Sequence, residues 1–158
     1  HLPLRLVAKN ITKEKIINNV MQIDKFYKKF HKKKPKIAIL GLNPHCETID
    51  SFNEEKKIII PAINYLKKNN LNAEGPFSTD TFFLKKNIDK YDVVVGMYHD
   101  QVLTPIKTLY NFNAINITLG LPFIRISPDH GPNNAMLGKN QSDPSSIFCA
   151  MRLIKKIG

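Results

Sequence analysis

At 158 residues the chain can form one domain with a sizeable core or two small lobes, and its 42% hydrophobic and 23% charged content is that of an ordinary globular protein. No apolar stretch reaches the roughly 20 residues of a membrane span, and Cys46 and Cys149, far apart and without a CxxC, argue against a disulfide framework and fit a reducing cytoplasm. The net charge of +11 comes almost wholly from lysine, since Arg5, Arg125 and Arg152 are the only arginines.

The elements alternate between helix and strand. The start, His1-Leu2-Pro3-Leu4-Arg5, has no initiator methionine and no signal-peptide pattern, so a chain that begins in mid-protein is expected. Residues 10–31 read as a helix: Thr12 is placed to cap, and Ile16, Ile17, Val20, Ile23 and Phe26 recur at helical spacing. Pro35 stops it, and Ile37-Ala38-Ile39-Leu40 is a continuously apolar run suited to a strand buried on both faces. Residues 41–50 form a polar loop. A helix over 51–68 follows, with Glu54 and Glu55 in its first turn and Pro61 marking a kink or a new start. Gly75-Pro76 marks 69–79 as a loop, which separates an expected lobe of residues 1–70 from one of 71–158. A short helix is expected over 79–87, a second buried strand at Val93–Met97, a helix over 100–109 and a third strand at Ala114–Thr118. The Gly- and Pro-rich stretch 120–144 reads as one long loop, and a final helix covers 145–156 with Ile147, Met151 and Ile154 on one face.

This order predicts an α/β fold with a mostly parallel sheet and flanking helices. Such sheets bind ligands beyond the carboxyl ends of their strands. His45 follows the first apolar run, His99 the second, and Arg125 lies in the loop after the third. If the three strands are parallel, these groups emerge at one edge. A lone histidine after a strand is more often a loop or capping residue, but two at equivalent strand ends, with Asp100 beside one, point to a metal. Imidazoles suit zinc, cobalt and related ions. The sequence spacing of the histidines matches no short metal motif. His31 sits among lysines and reads as surface; His130 stays outside the metal set, as a group that orients substrate or holds its loop. Arg125 offers a bidentate fork and Lys107 a point charge for a carboxylate or phosphate. No GxGxxG follows a strand, so the usual dinucleotide fingerprint is absent. The residues alone therefore describe a metal-dependent α/β enzyme acting on an anionic small molecule.

Several runs together resemble the 4-hydroxythreonine-4-phosphate dehydrogenase family of vitamin B6 biosynthesis. They are His1–Arg5, Gly41-Leu42-Asn43-Pro44-His45, Gly75-Pro76 with Asp80-Thr81, Met97-Tyr98-His99-Asp100-Gln101, the stretch Asn116–Arg125, and Asp129-His130-Gly131. They occur in order along the whole chain, and it is only the C-terminal half of such an enzyme that they cover. The family's N-terminal half supplies a His–Thr pair that contacts substrate and has no counterpart here. The resemblance implies three metal ligands, His1, His45 and His99, and three substrate-binding residues, Lys107, Asn116 and Arg125. It implies a divalent metal (Zn, Co or Mg), NAD or NADP, and a cytoplasmic homodimer whose metal ligands are shared between subunits at the interface. The implied fold is like that of the isocitrate and isopropylmalate dehydrogenases, which bind the dinucleotide without the usual fingerprint. The implied reaction is oxidation of 4-phosphooxy-L-threonine followed by decarboxylation to 3-amino-2-oxopropyl phosphate. Asp100 and Asp80 are weaker candidates for proton transfer or for orienting His99. A helix cap is the plainer role for Asp80.

Two alternatives stand beside this. A dehydrogenase of a 4-phosphorylated sugar acid, such as a threonate or erythronate phosphate, would use the same metal set. A lysine-rich nucleic-acid-binding module would instead show salt-sensitive binding independent of His45 and His99. A solvated lysine surface is the simpler account of the charge, because base readers need arginine and aromatics placed together. Neither nucleic acid nor membrane is an expected partner.

Overall fold

The computed structural model describes residues 2–131 and 134–157. They divide into two compact units, residues 1–103 and 104–158.

In the first unit, a 3-10 turn (Leu4–Leu6) and a single-turn helix α1 (Val7–Asn10) precede α2 (Lys13–Phe30). Thr12 caps α2 as expected: its extended backbone lets Oγ1 accept from the Lys15 amide at 3.2 Å. Strand β1 (Ile37–Leu40) is fully buried and central, with the order β2-β1-β3 and both pairings parallel. Its alternation serves two layers. Ile37 and Ile39 pack with Ile16, Ile17 and Val20 of α2 and with Ile63 and Leu66 of α3 (Ile60–Lys68). Ala38 and Leu40 face Phe82, Phe77 and Val94 on the other side. The kink expected near Pro61 takes the form of a π-helical turn, Glu55–Ile59, leading into α3.

The stretch around Gly75-Pro76 is a strand rather than a loop. β2 (Ala73–Phe77) pairs with β1 and shifts register between Ala38 and Leu40. Gly75 takes φ +135°, and a Cβ there would lie 2.2 Å from the Ile39 carbonyl oxygen, so the residue read as a turn marker is needed for close strand approach. Because β2 is hydrogen-bonded to β1, no break between units falls at residue 70, and the compact units part between Leu103 and Thr104. The short helix expected over 79–87 is two turns, α4 (Thr79–Phe82) and α5 (Lys85–Ile88). β3 (Val93–Val95) is half-buried, not fully buried, since it pairs on one side only among the described residues. Helix α6 (His99–Tyr110) crosses the division between the units.

In the second unit, β4 (Ile115–Thr118) does not join the parallel sheet. It pairs antiparallel with β5 (Arg125–Pro128), which lies inside the stretch expected to be loop, as does a 3-10 turn at Asn134–Met136. The final helix α7 (Ser145–Ile157) sits where expected but with a different buried side. Ser146 and Ala150 face inward, while Ile147, Phe148, Met151 and Ile154 are each about half exposed. Small residues permit close approach to the ribbon: Ser146 Oγ donates to the Ala114 carbonyl at 2.5 Å and accepts from the Asp129 amide at 2.9 Å. The α/β class with a parallel sheet holds, although only β1–β3 are parallel. Among the described residues no helix is long and apolar enough to cross a membrane.

Candidate functional site

The carboxyl ends of β1, β2 and β3 carry, in turn, the loop to His45, the turn to Asp80, and the N-terminus of α6 with His99. His45 and its neighbour Cys46 both adopt left-handed backbone conformations, φ 55° and 61°. Each costs about 1–2 kcal/mol for an L-residue, so surrounding contacts must hold this turn. Glu55 is one of them. Only 1% exposed, it accepts from the Leu42 and Asn43 amides at 2.8 Å through Oε1, and from Asn43 Nδ2 at 3.0 Å through Oε2. Burial pushes its carboxyl up, but the hydrogen bonds from Asn43, from its own amide and from Leu42 outweigh that, so its pKa falls below the ordinary value. Cys46 goes the other way: burial and then the Glu55 charge push its thiol up.

His45 and His99 each have a carboxylate near Nδ1. Asp80 Oδ2 lies 3.4 Å from His45 Nδ1, and Asp100 Oδ1 lies 2.7 Å from His99 Nδ1. Asp80 therefore stands beside His45, whereas Asp100 adjoins His99. Asp80 also accepts from Ser78 Oγ at 2.6 Å, and this bond chiefly, helped by His45, lowers its pKa. A carboxylate accepting from Nδ1–H fixes the tautomer whose Nε2 carries the lone pair, as in carboxylate–histidine–metal triads. Both histidine residues are exposed to solvent. This donor chemistry fits a divalent ion. Among the described residues, however, no group of three His, Cys, Asp or Glu side chains converges. His1, the third expected ligand, lies outside the described residues.

Lys107, Asn116 and Arg125 belong to the second unit. Lys107 Nζ lies 3.0 Å from Asp129 Oδ2 and also donates to the Asp129 carbonyl. Register places Asn116 opposite Ser127 and Thr118 opposite Arg125, so Asn116 and Arg125 share one face of the ribbon. Arg125 Nη1 donates to Thr118 Oγ1 at 3.0 Å. Beside Arg125 is a recess of about 440 Å³ lined otherwise by Phe123, Ile124, Ile126, Ile154 and Ile157. His130 Nδ1 is 3.2 Å from the Gly131 carbonyl, a contact within its own loop.

The sequence singled out no role for Gln101. It is 4% exposed, and its bonds reach Gly41, Thr79 and Met97, the segments just before His45, Asp80 and His99. Its place in the third position of a helix, where a Gln side chain reaches back to an amide ahead of the helix, was the available signal.

The family model of the pyridoxal phosphate biosynthetic protein PdxA matches residues 1–154. The 4-hydroxythreonine-4-phosphate dehydrogenase of Sulfurihydrogenibium sp. (strain YO3AOP1) is 50% identical over 155 residues, 97% of this chain and 48% of that protein. This chain belongs to the PdxA family. The solved structure of 4-hydroxythreonine-4-phosphate dehydrogenase from Klebsiella pneumoniae superposes with a TM-score of 0.84 at 33% identity, over 99% of this chain and 48% of that one. A terephthalate 1,2-cis-dihydrodiol dehydrogenase from Burkholderia xenovorans LB400 shares the fold, with a TM-score of 0.75 at 23% identity over 99% of this chain and 50% of its own. The chain spans about half the length of the curated relatives it matches. Family membership agrees with the resemblance drawn from the strand-end motifs, and the PdxA signature runs through both compact units.

Proposed function

We propose that this chain carries the metal-binding and anion-binding groups of a cytoplasmic, NAD(P)-dependent 4-hydroxythreonine-4-phosphate dehydrogenase of pyridoxal phosphate biosynthesis. The observation that supports it best is the pair His45 and His99 at the carboxyl ends of adjacent parallel strands, each with an aspartate at Nδ1, in a chain of the PdxA family. The substrate is 4-phosphooxy-L-threonine. Its C3 alcohol gives a hydride to NAD(P)+ and a proton to the medium. The resulting β-keto acid then loses CO2 to leave 3-amino-2-oxopropyl phosphate.

A divalent cation bound there would supply Lewis acidity to the C3 oxygen as charge develops on it. His45 and His99 would hold that ion together with His1, the homodimer supplying the set from two chains. Asp100, hydrogen-bonded to His99 Nδ1, and Asp80, 3.4 Å from His45 Nδ1, would favour the tautomers that leave Nε2 to the metal. Their carboxylates are thereby committed to the imidazoles, which favours orientation over proton transfer as their role. Arg125 offers a fork to the phosphate or carboxylate, Asn116 adds a neutral hydrogen-bonding group on the same ribbon face, and Lys107 adds a positive charge that Asp129 partly offsets.

The nearest rival substrate is a 4-phosphorylated threonate or erythronate, for which the metal set and the anion-binding groups serve equally. The deciding experiment follows NAD(P)H formation by the full-length protein with each substrate, before and after chelation. Turnover of the amino acid phosphate that chelation abolishes is expected. Preference for the sugar acid would move the assignment to the rival, and chelator-insensitive turnover would remove the metal.

A further inference from the structure

We propose that Gln101 is a positioning residue that locks the three strand-end segments carrying His45, Asp80 and His99 into one geometry. The inference rests on the metal-site proposal above and adds a residue to it. Gln101 occupies the third position of α6, two residues after His99. Its Oε1 accepts from the Met97 amide, just ahead of the helix, at 2.6 Å. Its Nε2 donates to the Gly41 carbonyl at 2.6 Å and to Thr79 Oγ1 at 2.9 Å. Gly41 opens the loop that leads to His45, and Thr79 adjoins Asp80, the carboxylate at the His45 ring. One buried amide thus uses its acceptor and both donor hydrogens on three segments separated in sequence by 4, 22 and 60 residues from it.

The surroundings are shaped around this amide. Gly96 leaves room for it: a Cβ there would come 3.2 Å from Gln101 Oε1 and 2.7 Å from Val102 Cγ1. Gln101 itself is too deep to touch substrate, and it acts through the backbone to which the imidazoles are attached. Packing glue alone would fix the segments without regard to ring direction. A three-point tie between the His45 and His99 attachments instead sets their separation, which a metal senses through bond length and ligand field.

The test uses the full-length protein titrated with Co2+ and read by visible absorption. The variants are Gln101→Met, Thr79→Val, His45→Ala and, as a destabilised control remote from the site, Ile63→Val. Gln101→Met should weaken Co2+ binding about ten- to a hundredfold and alter the ligand-field bands well below its unfolding temperature. Ile63→Val should lower the unfolding temperature and leave both cobalt readouts unchanged. If Gln101→Met does not fold, Thr79→Val, which removes one of the three bonds, should show the same band change with a smaller loss of affinity. Cobalt affinity and spectrum unchanged in Gln101→Met, or in Thr79→Val where that stands in, while His45→Ala loses the ion, overturns the positioning role alone. Equal cobalt binding by wild type and His45→Ala overturns the metal proposal and this one with it.

Discussion

Glu55 grips Asn43 at two points, accepting its amide at 2.8 Å on Oε1 and its side-chain Nδ2 at 3.0 Å on Oε2, two residues before the left-handed turn at His45. A carboxylate is required at that spot because every partner is a donor. Glu55→Gln presents an amide NH2 to Asn43 Nδ2 or to the two backbone amides, and should cost about 1–3 kcal/mol in chemical denaturation. An unchanged denaturation midpoint would show that the grip contributes nothing to stability.

The same group makes the loop acid-sensitive. The folded pKa of Glu55 lies below its unfolded value, so its contribution is complete above the unfolded value of about 4.3 and is lost as pH falls through the folded value. Stability measured from pH 6 downward should therefore fall more steeply in wild type than in Glu55→Gln below about pH 4. Parallel curves would assign the acid transition to other carboxylates.

Asp80→Asn keeps the size of the side chain beside His45 and removes the charge that favours the Nδ1–H tautomer. Metal affinity should drop about tenfold or more, with little change in folding. Calorimetric titration with Zn2+ or Co2+ reads this directly, and wild-type affinity in the variant would reduce Asp80 to a surface partner.

Lys107 and Arg125 should act on substrate binding, not on the metal. Lys107→Met is expected to raise KM for the phosphorylated substrate about ten- to a hundredfold in the full-length enzyme, the scale of one charge-assisted hydrogen bond. Arg125→Lys should also raise KM, since a point charge does not replace a fork. Wild-type KM values would separate these groups from the substrate.

Sharing of metal ligands in a dimer has its own signature. Mixing His1→Ala with His45→Ala and allowing subunits to exchange should restore about a quarter of wild-type activity, because half of the dimers are mixed and one of their two sites, with His45 and His99 from one chain and His1 from the other, is whole. A mixture as inactive as its parents would put both histidines in the same chain's site.

At the other end of the sheet, Tyr91 donates to Glu74 Oε2 at 2.6 Å, and burial together with that carboxylate pushes its phenol up to about 12. The difference in phenolate absorbance between wild type and Tyr91→Phe should rise near that pH. A step near 10, the ordinary value, would mean the bond is not kept in solution.

What the sequence discloses, and what it hides, divides along physical lines. α2, its Thr12 cap and β1 were legible because periodicity and capping are local, and His45 and His99 because an apolar run announces where a strand ends. β2 was hidden because Gly75 answers a close approach to Ile39, a residue far away in sequence. The pairing of β4 was hidden because a short apolar strand does not say which partner it takes. For α7, periodicity showed that Ile147, Met151 and Ile154 share a face but not that Ser146 and Ala150 are the residues turned inward. Gln101 looked like any polar residue of a helix, since its role is visible only once Gly41, Thr79 and Met97 are brought together.

The antiparallel ribbon makes the length of its connection a chemical quantity. Asn116 and Arg125 are on one face because Thr118 opposes Arg125 and six residues join the two. Deleting one residue from 119–124 slips β5 by a single position, which turns Arg125 to the side of Ile115 and Ile117 and delivers Ile126 to the polar side. Evolution can therefore vary the letters of Leu119–Ile124 more freely than their number, because a change in that number takes Arg125 off the face it shares with Asn116.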